Sequence, residues 1–147
     1  MTNEARRTGR IVVGIDGSPS SVRALRWAIG QAKATGATVE VVYAWEVPPT
    51  YGTVVAVWPS DALEANAREL LGEVMNQVEA EAADVELERY VEEGHAAAVL
   101  LRHSEDADLL VVGNRGHGGF AGALLGSVSQ HCIHHATCPV VVIPGKD

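Results

Sequence analysis

The stretch Leu109-Leu110-Val111-Val112-Gly113-Asn114-Arg115-Gly116-His117-Gly118-Gly119-Phe120 decides how the rest of the chain is read. It opens with the most uniformly apolar run in the sequence, Leu109 to Val112, which predicts a buried strand. The run ends at Gly113, and six of the chain's fifteen glycines fall from there to Gly126. A final helix is predicted from about Ala121 to His135. Glycines at a strand-to-helix join let the backbone take positive φ and come close to a ligand. Successive N–H groups then converge on an anion, helped by the helix N-terminus. A tight turn with no ligand fits the same residues equally well. The loop is no Walker A motif: GxxxxGK[ST] is absent, and the only lysines are Lys33 and Lys146. GxGxxG does not fit in frame either.

Upstream, Ile11-Val12-Val13 reads as a strand entering the turn Gly14-Ile15-Asp16-Gly17-Ser18. Ser18 and Pro19 form an N-cap with proline at the first helical position. Val22, Leu25, Ile29 and Ala32 recur at helical spacing, and Gly36 ends that helix. Thr38 to Trp45 is a second β-branched strand. Glu46 to about Pro59 carries three prolines and reads as a long connection. Leu63, Ala67, Leu70, Leu71, Val74 and Val78 define a second amphipathic helix, with Asp61 expected as its cap and Glu64 completing a capping box. Val85, Leu87 and Val91 alternate with Glu86 and Glu88, the pattern of an edge strand with one wet face. A short helix over Ala96 to Leu101 precedes the apolar strand, and Pro139 to Ile143 is the last strand.

This alternation, with connections too long for hairpins, predicts an α/β fold: a mostly parallel five-stranded sheet with helices on both faces. One domain over residues 10–147 accounts for the length, preceded by a flexible N-terminus over residues 1–9. Arg6, Arg7 and Arg10 are read as part of that frayed start.

The formal charge of −8 disfavours a nucleic-acid partner, since it repels phosphate backbones and no basic stripe offsets it. No apolar run approaches the roughly 18 residues of a membrane span. Met1 to Arg10 lacks an apolar signal segment, so a cytoplasmic location is expected, with no membrane contact. Cys132 and Cys138 fit buried thiols in a reducing compartment.

Gly113, Gly116, Gly126 and Ser127 fall in the pattern G-x2-G-x9-G-[ST], followed by Val128 and Ser129. This resembles the ATP-binding signature of the universal stress protein family. The resemblance extends to Val13-Gly14-Ile15-Asp16-Gly17-Ser18 and to His135-Ala136-Thr137-Cys138-Pro139-Val140, and so spans Arg10 to Pro144. It implies that Gly14, Ile15 and Asp16 line the adenosine side of a cleft, with Asp16 near the ribose or phosphates, and that Ala44 packs on adenine. It implies that Gly113, Asn114, Arg115, Gly116, Gly118 and Gly119 wrap ribose and phosphates, while Gly126, Ser127, Val128 and Ser129 grip the phosphates. The resemblance also favours a homodimer through the strand Val140 to Ile143, whose apolar edge invites pairing with a second copy. The ligand it implies is ATP, and a triphosphate beside Asp16 calls for a counter-ion such as Mg²⁺.

Ligands of doubly wound sheets sit beyond the carboxyl ends of the strands, where the strand order reverses. The resemblance implies a Rossmann-like open five-stranded parallel sheet of order 3-2-1-4-5 with helices on both faces, and in that order Asp16 and the Gly113 loop face each other. Asp16 has a second reading, as a cap for the helix that follows it. His117 is either a phosphate contact or a solvated loop tip; Arg115 is the stronger contact because its charge persists. Trp45, Tyr51 and Trp58 either form a lid over the base or pack the long connection. His131, Cys132, His134, His135 and Cys138 resemble a metal cluster, and His131, His134 and His135 share a helix face. No further ligand group completes a tetrahedron, and no metal site is assigned. Glu86, Glu88, Glu92 and Glu93 are read as solvated surface. No general base, nucleophile elbow or catalytic lysine is evident, so any turnover is expected to be slow ATP hydrolysis. The expected function is an ATP-dependent switch or sensor in stress response. The alternatives are a nucleotide-independent interaction module, a slow ATP hydrolase, and a binder of AMP or cyclic AMP.

Overall fold

The structure, a computed structural model, describes residues 9–47, 60–114 and 125–144. Nine elements alternate along it: β1 (Arg10–Ile15), α1 (Pro19–Thr35), β2 (Thr38–Trp45), α2 (Ser60–Val78), β3 (Leu87–Glu93), α3 (Ala96–His103), β4 (Leu109–Gly113), α4 (Ser127–His135) and β5 (Val140–Ile143). All strand pairings are parallel, and the order is β3-β2-β1-β4-β5. The order reverses at β1: β2 and β3 are added on one side of it, and β4 and β5 on the other.

Side-chain alternation along the strands builds two cores. Ile11, Val13 and Ile15 of β1, Val39 and Val41 of β2 and Val111 of β4 pack with the buried faces of α1 and α2. Val12, Val42, Leu110 and Val112 point to the other face, against Val99 and Leu100 of α3 and Cys132 of α4. Nearly every central strand residue is thereby buried on one side or the other, which is why these strands read as continuous apolar runs.

Helix α1 starts as its sequence predicts: Ser18 Oγ accepts from the Ser21 N–H at 3.3 Å, and Gly36 closes the helix at φ 78°. Two other boundaries differ from the sequence reading. Helix α2 already includes Ser60, which puts Asp61 inside the first turn rather than at the cap. Glu64 pairs forward with Arg68 at 2.6 Å instead of reaching back in a capping box. Helix α4 begins at Ser127, because Gly126 has extended φ and ψ of −75° and 168° and serves as its N-cap.

Arg10 is no part of a frayed end. It opens β1, its N–H donates to Asp108 at 2.7 Å, and its guanidinium donates to Glu40 and to the carbonyls of His103 and Glu105. Glu40, only 7% exposed, is thus a charge neutralised inside the fold. On the same face Glu92 is held by His103 at 2.6 Å and by Arg102, so it is a structural clamp rather than solvated surface. Glu88 accepts from the Tyr90 hydroxyl at 3.0 Å. Among the described residues, no helix is long and apolar enough to cross a membrane.

Candidate functional site

The carboxyl ends of β1 and β4 meet at the point where the sheet reverses. The two strands run in step as far as Val13 and Val111, so the turns that follow, Asp16-Gly17-Ser18 after β1 and Asn114 after β4, leave the sheet side by side. Beside them β2 ends at Trp45, with Tyr43 opposite Ile15 in the register.

Asp16 is half-buried, and its Oδ1 accepts from the Ser18 N–H at 2.9 Å, while its own N–H donates to Ser21 Oγ at 3.3 Å. Gly17 between them has φ 84°, a backbone region that disfavours other residues. The carboxylate therefore shapes the turn into α1, while the helix itself is capped by Ser18 and not by Asp16. The same turn fixes the carboxylate just beyond the carboxyl end of β1. Tyr43 is a neighbour the sequence reading missed. Burial pushes its phenol pKa up, and the negative charge of Asp16 adds to the effect. Only the pairing register brings the two residues together, so nothing local in the sequence signals it.

Two glycines of the site have packing reasons. A Cβ on Gly14 falls 2.5 Å from Leu100 Cδ1, so α3 lies directly on β1 there. A Cβ on Gly113 falls 2.8 Å from the carbonyl carbon of Ser20, so the first turn of α1 lies against the end of β4. Glycine at these positions lets two helices approach the sheet at its reversal point.

The glycine-rich loop is closed at its base. The Gly126 N–H donates to the Asn114 carbonyl at 2.6 Å, the Asn114 N–H donates to the Ile143 carbonyl at 2.9 Å, and Ser129 Oγ donates to the Gly113 carbonyl at 2.6 Å. Ser129 is 2% exposed, so its hydroxyl proton is committed to the fold. Arg115, Gly116, His117, Gly118 and Gly119 lie outside the described residues, as do Tyr51 and Trp58.

What this arrangement offers a ligand is the first turn of α4. Its N-cap is a glycine and no side chain caps it. The N–H groups of Ser127, Val128 and Ser129 have no partner within the helix by construction. Together with the helix dipole, these N–H groups are donors placed as an anion needs them. Ser127 is exposed and Val128 half-buried. Ala44, half-buried at the end of β2, packs on the α3–α4 face. The structure thus groups Gly14, Ile15, Asp16, Ala44, Gly113, Asn114, Gly126, Ser127, Val128 and Ser129 at one end of the sheet.

The cysteines and histidines of the last helix separate. Cys132 is fully buried in the α3–α4 core and its thiol is pushed up to about 11, by burial first and then by Cys138. Burial also raises Cys138. Both are free thiols. His131, His134 and His135 face outward.

The family model described as the universal stress protein family matches residues 8–144. A universal stress protein of Mycolicibacterium smegmatis is 36% identical over 137 residues, covering 90% of this chain and 45% of that protein. The chain spans about half the length of the curated relatives it matches. Among solved structures, a universal stress protein in complex with cAMP is 28% identical with a TM-score of 0.71, covering 95% of this chain and 98% of that one. The universal stress protein of Archaeoglobus fulgidus in complex with dAMP is 26% identical with a TM-score of 0.66, covering 92% and 97%.

Proposed function

The chain belongs to the universal stress protein family, and from that premise we propose that it binds an adenine nucleotide, ATP with Mg²⁺, and acts as a nucleotide-dependent switch in stress response. The observation that carries the reading is the uncapped first turn of α4, tied by Gly126 to Asn114 at the end of β4. The phosphates lie on the amides of Ser127, Val128 and Ser129. The ribose lies between Asp16 and the Gly113 loop, and the base lies over Ala44. Arg115, Gly116, His117, Gly118 and Gly119 complete the phosphate wrap.

The donor chemistry fits the metal as well. Asp16 supplies a hard oxygen donor of the type Mg²⁺ takes alongside phosphate oxygens. Among the described residues the one lysine, Lys33, is in the last turn of α1, at the opposite end of the sheet from this cleft. The site is therefore built for binding, and ATP turnover in it is slow.

The relatives solved with cAMP and dAMP support the adenine class. They also favour a second reading in which a nucleoside monophosphate is the working ligand. Thermal shift against ATP, ADP, AMP, cyclic AMP and GTP, with and without Mg²⁺, separates the two. A ligand at a hundred times its Kd raises native stability by about 2.7 kcal/mol. The largest shift is expected with ATP and Mg²⁺. A larger shift with AMP or cyclic AMP selects the second reading, and no shift with any adenine nucleotide at millimolar concentration overturns both.

The same reading includes a homodimer through β5. That strand is paired with β4 on one side, and it stands at the sheet edge with every residue half-buried. Arg23 of α1 donates to the Pro144 carbonyl at 3.0 Å. Trp27, one helical turn on from Arg23, is 37% exposed on the same side. The solution mass by light scattering is expected at twice the 15.5 kDa of the chain.

A further inference from the structure

Helix α4 is short, and its inner side is taken up by Ser129 and Cys132. Its outer side presents Gln130, His131, Ile133, His134 and His135, all exposed. His131 and His135 are four residues apart, so the helix stacks them on consecutive turns of one face. Their ring centroids are 4.5 Å apart with the planes inclined at 37°. His134 is displaced by about 100° around the helix from His135 and is not part of this pair.

The separation matches a chelate. Metal–nitrogen bonds of about 2.0–2.1 Å set each imidazole centre about 3.1 Å from an ion, so two rings bound cis at a right angle have centres roughly 4.5 Å apart. A tetrahedral angle would spread them to about 5 Å. We propose that His131 and His135 form a bidentate site for a late first-row divalent ion of the Ni(II) or Cu(II) class, with water in the remaining positions.

The donor set selects that class. Two nitrogens and water oxygens in a tetragonal arrangement suit Cu(II) and Ni(II). Tetrahedral zinc sites take three or four protein ligands, and Cys132, next to His131 in the chain, is turned into the core on the other side of the helix. Both rings are exposed, so water reaches the ion without any rearrangement of the fold. The chelate bridges the last turn of the helix whose first turn carries Ser127 and Ser129. Ion binding therefore favours the native chain by mass action.

The test is isothermal titration of the full chain with nickel chloride at pH 7.5. One saturable Ni(II) per chain is expected, weakened tenfold or more in His131→Ala and in His135→Ala, and changed by no more than twofold in His134→Ala. All three positions are exposed, and unchanged far-UV circular dichroism checks that the variants fold. As an independent readout, trace Cu(II) is expected to broaden the imidazole resonances of His131 and His135 before those of His95 and His103. No saturable nickel binding, binding that survives in the His131→Ala/His135→Ala double variant, or first broadening at other histidines overturns the proposal.

Discussion

The Ser129 hydroxyl donates to the Gly113 carbonyl at 2.6 Å, joining the first turn of α4 to the last residue of β4 across sixteen positions of sequence. This bond, with the Gly126–Asn114 bond beside it, sets where the α4 amides lie relative to the sheet. Removing the hydroxyl leaves a carbonyl without its partner in a buried place. Ser129→Ala is expected to cost about 1–3 kcal/mol, measured by urea unfolding, and to weaken nucleotide binding through the displaced helix start. A stability loss with wild-type nucleotide affinity would show that α4 is held by its other contacts.

Gly126→Asp separates the helix cap from the ligand. The backbone there, φ −75° and ψ 168°, suits any residue, and aspartate is a better N-cap than glycine by about a few tenths of a kcal/mol. The variant is expected to fold with equal or higher Tm, while its carboxylate occupies and repels the place of a phosphate. Nucleotide affinity is expected to fall roughly tenfold or more, read by equilibrium dialysis. Undiminished binding in a folded Gly126→Asp protein would rule out phosphate at the α4 N-terminus.

Gly14→Ala is expected to destabilise by about 1–3 kcal/mol through overpacking on Leu100. Trimming the neighbour makes room, so the Gly14→Ala/Leu100→Ala pair is expected to cost less than the sum of its single variants by about 0.5–3 kcal/mol. Strict additivity would contradict the contact. At Gly113 a Cβ meets Ser20 Oγ first, then the Ser20 carbonyl carbon at 2.8 Å and its Cβ at 2.9 Å, so Ser20→Ala removes the closest contact and should rescue only part of the loss. Gly113 substitutions therefore perturb the fold and make poor probes of binding.

Burial on its own raises the Glu92 carboxyl, but the hydrogen bonds from His103 and Arg102, with their charges, outweigh it and hold the group below the usual glutamate range. A folded value below the unfolded one means the clamp contributes in full above the unfolded glutamate pKa. Its contribution is lost as pH falls through the folded value. Glu92→Gln is thus expected to be less stable than the parent at pH 7, with the gap closing below about pH 4. Urea unfolding across that range reads it, and a gap independent of pH would mean that ionisation of Glu92 is irrelevant to the fold.

The order of elements was legible in the sequence because its signals are local. Apolar periodicity, the Ser18-Pro19 start of α1 and the Gly36 stop act between residues one to four positions apart. The edge character of β3 followed from the same kind of pattern, while the strand order came with the resemblance carried by the glycine signature. The boundaries of α2 and α4 were less legible, since two polar residues in succession, such as Ser60 and Asp61, offer the helix alternative starts. Arg10 and Glu92 were misread as solvent-facing for a different reason. Their partners Glu40, Glu105 and His103 are up to 95 positions away.

By itself, then, the sequence determined the alternation of strands and helices, the family, and the strand ends where glycines gather. Tertiary structure alone decided why those glycines are needed, against Leu100 for Gly14 and against Ser20 for Gly113. It also decided that Tyr43 neighbours Asp16 and that Ser129 holds β4. Periodicity reports only which side of an element is apolar. Which groups meet across the sheet is fixed when the chain closes and register, helix approach and hydrogen-bond satisfaction are settled together.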